Sequence, residues 1–379
     1  MSPTSYRTAP PRGTTGQDTA GSAAFLPNQT IMHSIDPAIA SLPKIHLHCH
    51  LEGSLRAETF VELARRYGVS TRYRPGGKQV QGPTDPALVY KYENFVEFLL
   101  TFAAVSRALA SPDDYARLAR EFVTDALAQN VIYGELFVSP SVWAYFHPEL
   151  DIVNTLRSII YELRTARKQG IDFSLIVDVT RNFGAESAMR TAQVAASLAG
   201  AGVVGIGLGG DEAGFPPALF ADVFAFARSR GLHGVAHAGE AAGAESVRDA
   251  VEILGAERIG HGIRALEDRS VVALLRDRGI PLEVNPASNY ATGVVPRHEA
   301  HPLGELDAQG LKIVIDADDP TMFETSISSD YNYVAQTLGI DSLKRFIGNA
   351  VDAAFVSNSE RQALRARAGM EPIGRVAKS

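Results

Sequence analysis

Residues Leu42 to Arg56 read LPKIHLHCHLEGSLR, an apolar run that ends in two histidines one residue apart. Side chains on a strand alternate in direction, so His48 and His50 leave the same face near its carboxyl end. Two imidazoles on one face can grip one metal ion. His46 shares their face by parity but lies deeper, and it is left out of the site. Glu52 and Gly53 follow at once, supplying a carboxylate and a permissive backbone where a strand would empty into a loop. Alone, such a pair more often marks ordinary strand polarity than metal. Its weight comes from what the rest of the chain places beside it.

Outward from this stretch, a helical turn over Ile35 to Ser41 leads into a first strand at Ile45 to His48. Ala57 to Tyr67 has apolar residues at helical spacing and stops at Gly68. Thr71 to Val89 is punctuated by Gly and Pro, whereas Tyr92 to Leu109 and Pro112 to Gln129 are long amphipathic patterns. They form a helical insertion that could lie over the site as a lid. Val131 to Val138, VIYGELFV, reads as a second buried strand ending at Ser139-Pro140. Helix and strand then alternate, with further strands at Phe173 to Val179, Val203 to Leu208, Gly234 to Ala238, Arg258 to Gly260, Leu282 to Val284 and Lys312 to Ile315.

Continuously apolar strands separated by helices indicate a parallel sheet covered on both faces. Eight of them favour a closed (β/α)8 TIM barrel over an open sheet. A single GxGxxG spacing, Gly205, Gly207 and Gly210, starts inside a strand and does not open a helix, so a dinucleotide site is not indicated. The segment after Tyr331 reads as extra C-terminal helices closing the outside of the barrel. The expected organisation is a disordered extension over 1–34, one barrel domain over 35–369 and a tail over 370–379.

The 379 residues are 45% apolar and 21% charged, enough to bury a large core. A net charge of −7 and a pI near 5.8 argue against a nucleic-acid partner, whose phosphates are met by Lys and Arg. A small-molecule substrate fits better. The single cysteine, Cys49, excludes an internal disulfide, a thiolate zinc cluster and the Pro-Cys-x-x-Cys site of cytidine-type deaminases. A metal would have to rest on His and carboxylate. The first thirty residues lack a basic segment leading into an apolar one, and no apolar run reaches membrane-spanning length. A cytoplasmic protein is expected, compatible with a monomer or a homo-oligomer.

In such a barrel, chemistry gathers at the carboxyl ends of the strands. The first strand carries His48 and His50, the fourth Gly209 to Glu212 (GGDE), and the fifth His237 and Glu240 (HAGE). The sixth ends at His261 (RIGHG), and the eighth at Asp316, Asp318 and Asp319 (DADDP). Singly, His237 reads as a backbone-satisfied histidine, Asp318 as a helix cap, and Glu240 as a carboxylate favoured by a helix dipole. Their shared placement is the argument. His48, His50, His237 and Asp318 would give three nitrogens and one oxygen, the donor set of a catalytic zinc.

This arrangement resembles the adenosine deaminase family of metal-dependent (β/α)8 hydrolases, from about Leu42 to Phe346. The carriers are LPKIHLHCHLEG, GGDE, HAGE, RIGHG, the PASN segment at Pro286 to Asn289, and DADDP, in that order. The resemblance implies one zinc ion per subunit on His48, His50, His237 and Asp318. It implies that His261 takes or steers the proton of the attacking water, that Asp318 orients that water, and that Glu240 protonates purine N1. On the substrate side, the Gly210 amide would meet N3 and Asp319 would meet N7, with His50 and Glu52 beside them. The implied reaction converts adenosine-type nucleosides to their inosine forms plus ammonia. The alternative is deamination of free adenine or of a 5′-modified adenosine such as aminodeoxyfutalosine.

Residues around the site divide between these substrates. Nucleoside deaminases of this family usually have Asp where Glu52 stands, whereas enzymes of free adenine, and some acting on larger adenosine derivatives, carry Glu. Gly260 before His261 and the SNYATG segment at Ser288 to Gly293 look like the nucleoside branch. Asn285 and Ala317 stand where Cys and Ser or Thr are more usual, which implies altered specificity rather than lost activity.

Overall fold

The computed structural model describes residues 34–91 and 95–371. The expected extension and tail therefore lie largely outside the described residues. Eight parallel strands follow one another around a barrel: β1 Lys44–His50, β2 Val131–Val138, β3 Asp172–Thr180, β4 Val203–Gly209, β5 His233–Ala238, β6 Arg258–His261, β7 Leu282–Val284 and β8 Ile313–Ile315. β8 returns to β1 just past its end, where His50 N donates to Asp318 O at 2.8 Å and Asp318 N to His48 O at 3.1 Å. The expected (β/α)8 barrel is what forms.

The strands are buried on both faces because helices cover the outside, which is why they read as unbroken apolar runs. The main core lies between strands and helices, with Leu136, Leu175, Ile206 and Ile259 fully buried. A smaller cluster of Phe137, Ile176 and Val235 lies beneath the site. Val235 precedes His237 by two residues and so shares its face. Deeper still, Arg258 pairs with Glu135 at 2.6 Å and Glu283 at 2.5 Å, and its guanidinium stacks over Phe355.

The insertion between β1 and β2 holds helices Ala57–Tyr67, Pro86–Val89, Phe95–Ala108 and Pro112–Ala128, with a short hairpin of Tyr73–Arg74 and Lys78–Gln79. Gly68, at φ 65°, ends the first of these where its sequence predicts. The insertion reaches the loop after β8, where Lys91 pairs with Glu324 and the Phe98 ring lies 4.6 Å from Phe323. The C-terminal helices Ile327–Leu338, Ile340–Ala353 and Asn358–Arg367 flank the barrel as expected. They also close its floor: Phe355 N donates to Glu135 at 2.6 Å and Arg258 donates to Ala353 O at 3.0 Å. Two short helices not foreseen, Pro140–Phe146 and Pro286–Ala291, follow β2 and β7 and build the rim. Among the described residues, no helix is long and apolar enough to cross a membrane.

Candidate active site

Strand β1 does not alternate evenly. Its pairing with β2 runs His46 to Gly134 and then Cys49 to Leu136, so three steps on β1 match two on β2. This bulge reverses the alternation. His48 and His50 meet the other histidines inside. His46 instead lines a cavity of about 160 Å³ with Phe122, Gln129 and Thr321, and accepts a hydrogen bond from Ala317 N at 3.2 Å. The shared face expected from parity is thus wrong, and the bulge is the reason. Its exclusion from the site stands.

One donor atom each of His48, His50, His237 and Asp318 lies within 4.8 Å of the others. Asp318 Oδ1 is 3.4 Å from Nε2 of both His48 and His50, and His50 Nε2 is 3.2 Å from His237 Nε2. His48 Nε2 is buried with no hydrogen-bond partner, while its Nδ1 lies 2.7 Å from Glu283. A carboxylate on the outer nitrogen of an imidazole fixes the inner nitrogen as a lone pair. Three ring nitrogens and a carboxylate oxygen converging this closely, with His48 Nε2 otherwise unpartnered, fit a cation such as zinc. Burial opposes charge on Glu283, yet Arg258 and His48 hold its carboxyl below the usual range.

His261 and Asp318 have φ of 62° and 61°, left-handed values uncommon outside glycine. Both sit where their strands end. Asp318 is held there by its backbone bonds to β1, and Ser288 Oγ donates to its Oδ2 at 2.6 Å. Gly260 clears the space beside His48, since a Cβ at 260 would stand 2.8 Å from that ring.

Glu240 lies in the turn after β5, its Oε2 3.6 Å from His261 Nε2. Glu212 fixes this turn by accepting the backbone N–H groups of Gly239, Glu240, Ala241 and Ala242 at 2.6 to 3.2 Å. Arg181 supports it from behind, donating to His237 O at 2.8 Å. Burial, with Asp318 and Glu212 alongside, pushes the Glu240 carboxyl up to about 8. A carboxyl raised in this way is suited to hold a proton near neutral pH, the property a general acid needs.

Of the residues expected to face substrate, Glu52 is fully buried in the wall. Its Oε1 accepts from Ser139 N at 2.9 Å and Trp143 Nε1 at 2.7 Å, and its Oε2 has no partner. Asp319 is buried with Oδ1 unpartnered, its carboxyl raised by burial and by Asp318 and Glu52. Gly210, at φ 99°, turns the chain after β4, where the next amide, Asp211 N, donates to Asn182 at 3.0 Å. Every expected site residue thus lies at the carboxyl end of the barrel.

Sequence reasoning missed several residues that shape the site. Glu212 and Ser288 lie within the quoted GGDE and PASN segments but had been given no task. Glu283 had one signal, a lone acid in the buried strand Leu282–Val284. Trp143 had none, since its partner Glu52 is 91 positions away. Asp178 on β3 is buried with Oδ1 unpartnered, and burial, with Glu52 nearby, raises it to about 8.

A (β/α)8 barrel whose strand ends bring three imidazoles, an aspartate and a glutamate with a raised carboxyl together is the frame of a metal-dependent hydrolase. The chain belongs to the adenosine deaminase family, whose model matches residues 43–369, and it is a hydrolytic deaminase acting on C–N bonds. It is 38% identical to an adenine deaminase of Rhizobium leguminosarum bv. trifolii, across 86% of this chain and 98% of that one. Among solved structures, it resembles an adenine deaminase from Arthrobacter aurescens at 27% identity and a TM-score of 0.78, covering 87% of this chain and 98% of that one. An amidohydrolase from Burkholderia ambifaria, solved with bound zinc, aligns at 29% identity and a TM-score of 0.79, covering 89% and 93%.

Proposed function

We propose that this enzyme deaminates free adenine to hypoxanthine and ammonia, using one zinc ion held by His48, His50, His237 and Asp318. The observation that carries the choice of substrate is Glu52. The nucleoside reading favoured by SNYATG and Gly260 gives way to the free base, in line with the adenine deaminases named above. Glu52 Oε2, Asp178 Oδ1 and Asp319 Oδ1 are three buried oxygens without protein partners. Glu52 lies close enough to both aspartates to raise their carboxyls. A free base presents N–H and ring nitrogens along its five-membered edge, where a nucleoside presents a sugar. The unpartnered carboxyls can accept that N–H, and Glu52, one methylene longer than the aspartate usual in nucleoside deaminases of this family, reaches into the space a sugar would fill.

When bound, the ion would lower the pKa of water so that a nucleophile exists at neutral pH. The chain's residues supply the rest. Glu240 protonates N1, which makes the adjacent carbon electrophilic as the water's oxygen bonds to it. The water's proton is received within the Asp318 and His261 pair and leaves on the departing amine as the C–N bond breaks. Glu240 recovers its proton as the ring carbonyl forms. Gly210 N–H and Asp319 hold the ring at N3 and N7.

The test is a panel of adenine, adenosine and a 5′-substituted adenosine, followed by loss of adenine-type absorbance, with metal content measured on the same sample. Adenine is expected to exceed adenosine in kcat/KM by on the order of 10⁴. Equal or better turnover of adenosine would restore the nucleoside reading, and less than one equivalent of zinc in the active protein would reject the metal assignment.

A further inference from the structure

His261 touches the site through Nε2, and its chemistry depends on which ring nitrogen carries the proton. We infer that Asn289 and His301 are positioning residues that hold His261 with its proton on Nε2, so that it donates a hydrogen bond into the site. The inference rests on the deaminase reading for its use, but the relay itself is independent of substrate.

The relay starts at a backbone amide, which can only donate. Leu303 N–H donates to His301 Nδ1 at 3.0 Å, so the proton of the neutral His301 ring is on Nε2. Burial keeps that ring neutral, lowering it to about 3. His301 Nε2 lies 3.0 Å from Asn289 Oδ1 and donates to it. The amide is thereby oriented, and its Nδ2 lies 3.1 Å from His261 Nδ1. An amide nitrogen donates, so His261 Nδ1 accepts, and the ring's own proton is on Nε2.

The opposite amide orientation fails, because Asn289 Nδ2 would then meet His301 Nε2–H, donor against donor. Asn285 reaches the same nitrogen from the other side. Its Nδ2 donates to Glu283 O at 3.1 Å and lies 3.5 Å from His261 Nδ1. Two amide nitrogens thus face a ring atom that a proton on Nδ1 would turn into a third donor. His261, Asn285, Asn289 and His301 are all buried, so water does not compete for these bonds.

His261 Nε2–H stands 3.6 Å from Glu240 Oε2 and 3.9 Å from Asp318 Oδ2. A water between them would meet a donor at His261 and an acceptor at Asp318. His261 then steers the water's oxygen as it bonds to the ring carbon, and the water's proton passes to Asp318 before leaving on ammonia.

The relay is tested on the zinc-loaded full chain labelled with ¹⁵N-histidine, read by two-bond ¹H–¹⁵N correlation without substrate. His261 signals are assigned by their loss in His261→Gln. A pyridine-type Nδ1 and a pyrrole-type Nε2 are expected at both His261 and His301. Asn289→Asp replaces the donor by an acceptor and should reverse the His261 pattern, lowering kcat roughly 10- to 100-fold with zinc content and KM unchanged. His301→Gln keeps a donor toward Asn289 and should retain both the pattern and the rate, whereas His301→Leu should lose both. A pyrrole-type Nδ1 on wild-type His261 would overturn the inference, as would unchanged patterns and rates in Asn289→Asp and His301→Leu. Failure of wild-type protein to turn over adenine would instead count against the proposed function and leave the tautomer result standing.

Discussion

His50 Nε2 lies 3.2 Å from His237 Nε2. Two neutral imidazoles cannot both present lone pairs at that distance without a proton or a cation between them. With Asp318 Oδ1 3.4 Å from His50 and His48 Nε2 unpartnered, the cation is the economical solution. Removing it by chelation is expected to abolish turnover and lower the melting temperature, and zinc should restore both. At free zinc about 100-fold above its dissociation constant, the linked stabilisation is about 2.7 kcal/mol. His237→Ala should lower the zinc content measured by atomic absorption. A chelated protein with unchanged melting and full activity would reject the cation.

Glu240 gives the enzyme a direction in pH. Its carboxyl is pushed up to about 8 by burial and by Asp318 and Glu212, so the proton-bearing form dominates below that value and is lost above it. The kcat/KM profile should therefore fall on the alkaline side with an apparent pKa about 8. Glu240→Gln cannot release a proton, and kcat should drop by about 10² to 10⁴ with the alkaline limb gone. Steady-state rates between pH 5 and 10 check both.

The parts of this site legible in the sequence are those that local pattern determines. His48 and His50 stand out because both lie within one strand. Val131–Val138 and the helix Ala57–Tyr67 declare themselves through unbroken apolarity and through periodicity ended by glycine. What could not be read depends on pairing between distant segments. The outward turn of His46 follows from a bulge against β2, and no residue of β1 announces that register. The tasks of Glu283, Glu212 and Trp143 are defined by partners on other strands and loops, so each reads in isolation as an ordinary acid or aromatic. The two rim helices begin at prolines directly after strands, where the same dipeptides equally suit a turn.

Gly53 is required by Asp319 rather than by its own backbone. A Cβ at 53 would stand 1.9 Å from Asp319 Oδ1 and 2.5 Å from its Cβ. Asp319 cannot step back as a unit, because Thr321 N and Met322 N donate to Gly53 O and tie the two segments together. Gly53→Ala should displace the carboxyl and lower kcat/KM about 100-fold, the scale of a misplacement near 1 Å. Zinc content should stay at the wild-type level, since Asp318 is anchored separately to β1. Overpacking should also cost about 1 to 3 kcal/mol in denaturant titration.

Glu212 joins stability to catalysis at one carboxylate. Its Oε1 accepts from Gly239 N and its Oε2 from Glu240, Ala241 and Ala242 N. In Glu212→Gln, the amide oxygen can serve the three donors on one side, leaving buried Gly239 N–H against an NH₂ group. That mismatch should cost about 1 to 3 kcal/mol. The substitution also removes a negative charge that helps raise the Glu240 carboxyl. Less repulsion lets Glu240 ionise at lower pH, so the alkaline limb of kcat/KM should move toward acid while the rate at pH 6 is better preserved than at pH 8. A variant with lowered stability but an unmoved limb would show that Glu212 holds the turn without tuning the acid it carries.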